Sequence, residues 1–361
     1  MRDLDGLRDV WLAFADSLGS GYSPIYERVS RVVAEHEEVL DLVLEAPPRS
    51  HLPNVLLAAV HYLLLGGLDH PLAPVYAGRS GADPGPLFVE VCLTHRNEIL
   101  AQLRTRHTNT NEVGRSAILA VALQTVAIRA GLPLALVDAG CSAGLNLMCD
   151  RYRIDYGPAG VTGPDDAVVQ ISCSVLAGHP PIAPQVPPIA ARVGIDLDPV
   201  DVTDPDQVRW QLALVFPDTG RLERTRLALG ELQHSPPRVI EGDAGDCIDA
   251  VIRELPGNAI ATVATTWAAA YLAPHRRVEF HDRLAAASTT RPVAWISAEA
   301  PGVIDRFAGV SAPHDARGTQ ASVLGLVYYD GGTVTSELLG FVHPHGSWID
   351  WRANTATPVP S

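Results

Sequence analysis

The stretch Val137-Asp138-Ala139-Gly140-Cys141-Ser142-Ala143-Gly144-Leu145-Asn146 joins a short apolar run, Leu134 to Asp138, to a helix-like segment that begins at Ala143. An apolar run of strand length that stops at an acid, followed by glycines and a helix start, reads as a strand–turn–helix junction. Glycines there let the backbone approach a ligand, and the helix N-terminus offers free N–H groups. Asp138, Gly140, Cys141, Ser142, Gly144 and Asn146 are therefore candidate binding residues. The dinucleotide pattern G-x-G-x-x-G does not fit: counted from Gly140, its second glycine falls on Ser142 and its third on Leu145.

Upstream the periodicity is helical throughout. Leu4 to Ser17, Pro24 to Glu45, Pro53 to Leu68, Gly85 to Thr105 and Asn111 to Ala130 carry apolar residues at 3–4 spacing, and no strand pattern precedes Leu132. Downstream, Arg151 to Ile189 is rich in Gly and Pro and reads as an insertion (residues 151–190) with β-like pieces at Tyr152 to Tyr156 and Ala167 to Leu176. Strands are then expected at Ala191–Asp196, Arg238–Glu241, Ala259–Thr265 and Val293–Ala298. Helices are expected between them at Pro205–Val215, Arg221–Gln233, Ala244–Glu254 and Pro274–Ala287, the alternation of parallel βαβ units. Ser322–Tyr329 and Thr335–Val342, joined by Asp330-Gly331-Gly332, leave no room for a helix. They predict a hairpin whose last strand is antiparallel.

Composition narrows the chemistry. The 361 residues carry 27 basic and 41 acidic side chains, net charge −14, and all the basic ones are arginine. Without lysine there is no Schiff base to pyridoxal phosphate and no phosphate-loop lysine. The acidic balance argues against a nucleic-acid partner. Val55 to Leu68 spans 14 residues and includes His61, short of the roughly 20 a membrane span needs. The N-terminus lacks the pattern of a signal peptide. The five scattered cysteines contain no C-x-x-C pair, so a reduced, cytoplasmic enzyme without a metal is expected.

The spacing Asp-x-Gly-x-x-x-Gly from Asp138 to Gly144 resembles the first motif of class I S-adenosylmethionine (SAM) dependent methyltransferases. In that family the motif's acid and glycines embrace the methionyl end of SAM. The resemblance implies that Asp196 or Asp198, after the second strand, holds the ribose hydroxyls. It also implies that Asp243, after the third, accepts from the adenine amine while Ala244 offers a backbone N–H. The chain is further identified as a member of an actinobacterial family catalogued as domain of unknown function 2332. The motifs are Thr110-Asn111-Glu112-Val113-Gly114-Arg115, Ser142 to Leu147, Asp150-Arg151-Tyr152, Arg192-Val193-Gly194, Asp196 to Asp201, Val215-Phe216-Pro217-Asp218 and His343-Pro344-His345-Gly346.

Other residues carry two readings each. Arg115, with Asn111, is a candidate clamp for the SAM carboxylate; alternatively Asn111 caps a surface helix. Thr265, Thr266 and Trp267 follow the fourth strand, where such enzymes face the reacting methyl. Trp267 would lie against a sulfonium or pack in the core. Tyr152, with Arg151, would shape a substrate pocket. Glu299 is a candidate general base or an ordinary cap. His343 and His345 read as a surface turn in preference to a metal site with Asp350. Cys141 reads as a small loop residue, not a nucleophile.

The expected architecture is a helical cap, residues 1–110, followed by a seven-stranded Rossmann-like methyltransferase core, residues 111–361, carrying the β insertion. The expected function is a SAM-dependent methyltransferase-like enzyme acting on a small molecule. Two alternatives stand beside it. One is non-methyl SAM chemistry, either cyclisation to azetidine-2-carboxylate or aminopropyl transfer, with SAM itself as substrate and methylthioadenosine released. The other is a non-catalytic SAM-fold regulator.

Overall fold

The computed structural model describes residues 3–18, 21–109, 111–315 and 318–353; Thr110 of the Asn111–Arg115 motif lies outside them. The chain forms two compact units, Met1–Thr110 with Asp201–Arg226, and Asn111–Val200 with Leu227–Ser361.

The first unit is helical: α1 (Leu4–Ser17), α2 (Pro24–Glu35), α3 (Glu37–Leu44), α4 (Pro53–Leu65), α5 (Leu72–Tyr76), α6 (Pro84–Thr94) and α7 (Arg96–Thr105). Their starts follow local chemistry. Asp3 accepts from the Gly6 amide and Ser23 from Tyr26, with Pro24 preset at the first turn of α2. Two helices expected to be continuous are each broken in two. The Pro24–Glu45 stretch breaks at His36, whose backbone is extended, and the Gly85–Thr105 stretch breaks at His95. Neither break carries a proline or glycine. α4 is buried on nearly every side, which makes it a core helix. No helix among the described residues is long and apolar enough to cross a membrane.

The second unit opens with α8 (Arg115–Ala130), which starts four residues later than expected and ends on left-handed Gly131. Its strands are β1 (Leu134–Ala139), β2 (Arg153–Asp155), β3 (Val161–Thr162), β4 (Gln170–Ser172), β5 (Ser174–Ala177), β6 (Ile189–Asp196), β7 (Arg238–Glu241), β8 (Ile260–Thr266), β9 (Val293–Glu299), β10 (Ser322–Asp330), β11 (Thr333–Val342) and β12 (Trp348–Trp351). The Pro205–Val215 helix forms as α9 (Pro205–Ala213), which belongs to the first unit; α10 (Arg221–His234) follows, then α11 (Ala244–Glu254) and α12 (Pro274–Ala287).

The result is mixed α/β with one large, mostly parallel sheet. Among the described residues the sheet has nine strands, not seven, in the order β5-β12-β11-β10-β9-β8-β1-β6-β7. β7, β6, β1, β8 and β9 are mutually parallel, with β1 central and wholly buried. Within the hairpin the reversed strand is β10, antiparallel to both β9 and β11, so the reversal falls on its first strand and not on its last, and β12 and β5 run the same way as β10. The two extra strands come from unexpected places. β12 pairs with β11, and β5 leaves the insertion to pair with β12. The rest of the insertion forms a small sheet, β3-β2-β4.

One close approach fixes how β1 hands over to its loop. Gly194 of β6 faces Asp138 in register, and a Cβ there would collide with the Cys141 sulfur. Gly194→Ala should therefore destabilise the chain by about 1–3 kcal/mol through overpacking. Adding Cys141→Ala should recover much of that loss, read by urea unfolding as a double-mutant cycle. Strictly additive losses would show that the two positions are uncoupled.

Candidate functional site

At the carboxyl end of β1 the loop turns through left-handed backbone at Gly140, Ser142 and Gly144, with φ of 86°, 52° and 86°. The segment after it, Leu145–Arg151, is two 3-10 turns meeting at a kink at Met148, and not the α-helix expected from Ala143. Gly140 is required twice over, because its φ suits glycine and a Cβ there would strike Ala268, just past β8. The space beside Gly140 is thus filled by protein.

Side chains pin this loop. Asp196, at the end of β6, accepts from the Ser142 amide at 2.7 Å and from the Asp198 amide at 3.0 Å. Asn111 donates to the Cys141 carbonyl. Asn146 accepts from the Ser116 hydroxyl at 2.9 Å and donates to Asn111 Oδ1 at 3.4 Å. Asn111 is therefore a loop anchor and not a helix cap; Gly114 occupies the N-cap of α8. Asp198 lies on the exposed side of its turn. Cys141 is buried, which pushes its thiol pKa up and keeps it a packing residue.

Asp138 is 2% exposed. No described residue donates a hydrogen bond to its carboxylate. Burial, with the charge of Asp196 adding to it and Arg115 opposing, raises its pKa from 3.8 to about 7. Arg115 is 8% exposed, so the surface-helix reading is overturned. Its Nε donates to the Pro344 carbonyl at 2.9 Å and its Nη1 to the Thr266 carbonyl at 2.8 Å. It has no ion pair among the described residues. Burial lowers its pKa against the pull of Glu112, Glu299, Tyr271 and Asp138.

The remaining candidates are placed as follows. Trp267 has a φ of 57°, an outlier for a bulky residue, and its indole donates to Ser322 Oγ at 2.8 Å. Thr265 Oγ1 accepts from the Trp295 indole at 3.1 Å. Glu299 accepts from the Ala268, Ala269 and Ala270 amides at 3.1, 3.0 and 3.3 Å, so it caps the short turn after Trp267 while burial raises its pKa. Tyr152 is fully buried and donates to the Leu145 carbonyl at 2.8 Å; Arg151 reaches Ser235. Asp243 N-caps α11 through the Gly245 amide at 2.7 Å and receives Arg276 at 2.8 Å, with Ala244 the first residue of the helix.

Sequence reasoning missed Glu112 and Ser116. Glu112 is buried, accepts from the Gly114 amide at 2.8 Å and stands 3.7 Å from His345. The His343–Gly346 turn is likewise not a surface turn. His343 is buried and accepts from the His345 amide at 3.0 Å, while Pro344 receives Arg115. Asp350 pairs with Arg352 at 2.6 Å. Glu112 and the His343 turn lie inside the motif blocks and Ser116 just after one, so the signal was present without the pairing.

The Asp138 shift has a definite sign. Its carboxyl stays protonated in the folded chain while the unfolded chain ionises, so stability falls as pH rises from about 4 to about 7 and then levels off. Asp138→Asn should therefore gain stability over wild type as pH is raised from about 5 to about 8, by urea unfolding at each pH. An equal difference at both values would show that Asp138 titrates normally.

A search of curated proteins finds no match to this chain. The model of the family described as an uncharacterized protein conserved in bacteria (DUF2332) matches residues 8–351, and the chain belongs to that family.

Proposed function

We propose that the chain is a SAM-dependent methyltransferase-like enzyme acting on a small molecule, with SAM bound at the carboxyl edge of the parallel strands. One observation carries this reading. Asp138, a buried carboxylate without a donor among the described residues, and Arg115, a buried guanidinium without a carboxylate partner among them, act on each other's charge beside the β1 loop. Each is costly alone. An α-amino acid end supplies both missing partners, an ammonium for Asp138 and a carboxylate for Arg115. The methionyl end of SAM is such a group, and the Asp138–Gly144 spacing resembles the motif that receives it.

Asp138 and Arg115 fit the amino acid end of the group. Asp138 would hold the ammonium. The Arg115 Nη2, which is spent on neither carbonyl, would take the carboxylate. Asp196 accepts from the Ser142 amide of the β1 loop, and Asp196 or Asp198 would hold the ribose hydroxyls. Asp243 has its charge taken up by Arg276, so its reading at the adenine, with Ala244, rests on strand position alone. SAM, when bound, supplies an already activated methyl group, which leaves orientation and exclusion of water to the protein. Thr266 and Trp267 end the strand that Arg115 anchors, and their fixed backbone suits them to position an acceptor.

Arg115→Ala should weaken SAM and S-adenosylhomocysteine by about 1.5–3 kcal/mol each, the loss of a charge-assisted hydrogen bond. It should leave methylthioadenosine, which lacks the carboxylate, nearly unchanged by calorimetry. Because Arg115 also anchors two carbonyls, methylthioadenosine serves as the control for an intact site. Equal losses for all three ligands would reduce Arg115 to a structural role and remove the support for this reading.

A further inference from the structure

A cavity of about 300 Å³ opens where α12 meets the segment after β9. None of its lining residues belongs to the group around Asp138. Its floor is apolar, with Trp295 and Ile304 buried and Val278 and Val303 beside them. Two arginines line it. Arg277 and His281 stand one helical turn apart on α12, and Arg306 comes from the short turn Asp305–Phe307.

These arginines differ from their neighbours. On α12, Arg276 pairs with Asp243, Asp246 and Glu279, and Arg283 pairs with Asp246 and Asp249. Arg277 and Arg306 have no ion pair among the described residues, although acids outnumber arginines 41 to 27 along the chain. Arg277 donates to the Leu272 carbonyl at 3.1 Å, and Arg306 donates from Nε to His281 Nε2 at 2.8 Å. In the second contact the Arg306 Nε–H points at the ring nitrogen, which fixes the Arg306 head. One carboxylate, Asp305, also lines the cavity, leaving an excess of one positive charge.

We propose that this cavity is a binding site for a small amphipathic anion, a carboxylate on a short apolar or aromatic body. The guanidinium heads of Arg277 and Arg306 receive the carboxylate, and the body lies on the Trp295–Ile304 floor. The volume stands at the small end of ligand pockets, which suits a compact acid and excludes a lipid chain.

The test titrates the full-length chain with benzoate and with its neutral counterpart benzamide, by calorimetry. Benzoate should bind with one-to-one stoichiometry and benzamide roughly tenfold or more weaker, the loss of one charge-assisted contact. Arg277→Gln and Arg306→Gln should each weaken benzoate by about tenfold and leave benzamide unchanged. Asp305→Asn should tighten benzoate, a change of opposite sign that misfolding cannot imitate. The proposal is overturned if benzoate shows no saturable binding at millimolar concentration, or if benzoate and benzamide bind alike. It is also overturned if benzoate affinity follows Arg115→Ala and ignores the Arg277 and Arg306 changes.

Discussion

The burial of the Asp138 carboxylate at the end of the central strand is the constraint around which the second unit is arranged. Putting a carboxylate where no donor reaches it costs several kcal/mol unless it stays protonated or meets a cation. Burial raises its pKa to about 7, the direction of the first route. Arg115 offers the second at a distance: it lowers that pKa without forming an ion pair, its Nε and Nη1 being committed to the Pro344 and Thr266 carbonyls. Those two bonds bring the end of β8 and the turn after β11 to the start of α8. Three segments far apart in sequence thus meet at one cation, and the polar cluster persists because each of its supports is a backbone group that cannot move away.

The backbone around this cluster is strained in two places. Ser142 and Trp267 both adopt positive φ without being glycine, and both sit in loops at the carboxyl edge. Such conformations cost of order 1–3 kcal/mol each and survive only where neighbours over-determine them. Ser142 is held by Asp196 and Trp267 by Ala298 and Ser322. Glu299 completes the second loop by gathering three successive amides, which makes it a positioning residue for the segment that packs on Gly140.

Much of this was legible in the sequence, for local reasons. The β1 loop and the strands β7, β8 and β9 announce themselves by apolar runs ending in polar residues, and the Asp330-Gly331-Gly332 turn announces its hairpin. The helix breaks at His36 and His95 were not legible, because neither residue is a helix breaker and tertiary packing decides there. β12 was missed because Trp348-Ile349-Asp350-Trp351 is short and follows a proline–glycine turn. β5 was misplaced because its pairing with β12 joins residues far apart in sequence. For the candidate site, the loop and the strand ends could be located, but the sharing of charge could not. Nothing along the chain shows that Arg115 acts on Asp138, or that Asp243 is engaged by Arg276.

The central claim is that Asp138 and Arg115 are the two halves of a receptor for an amino acid zwitterion. The most direct measurement is a crystal structure of the chain with S-adenosylhomocysteine. The α-ammonium should be hydrogen-bonded to Asp138 and the α-carboxylate should lie on the Arg115 guanidinium, with the β1 loop otherwise unmoved. A ligand bound elsewhere, or bound here with its amino acid end turned away from both residues, would contradict the claim.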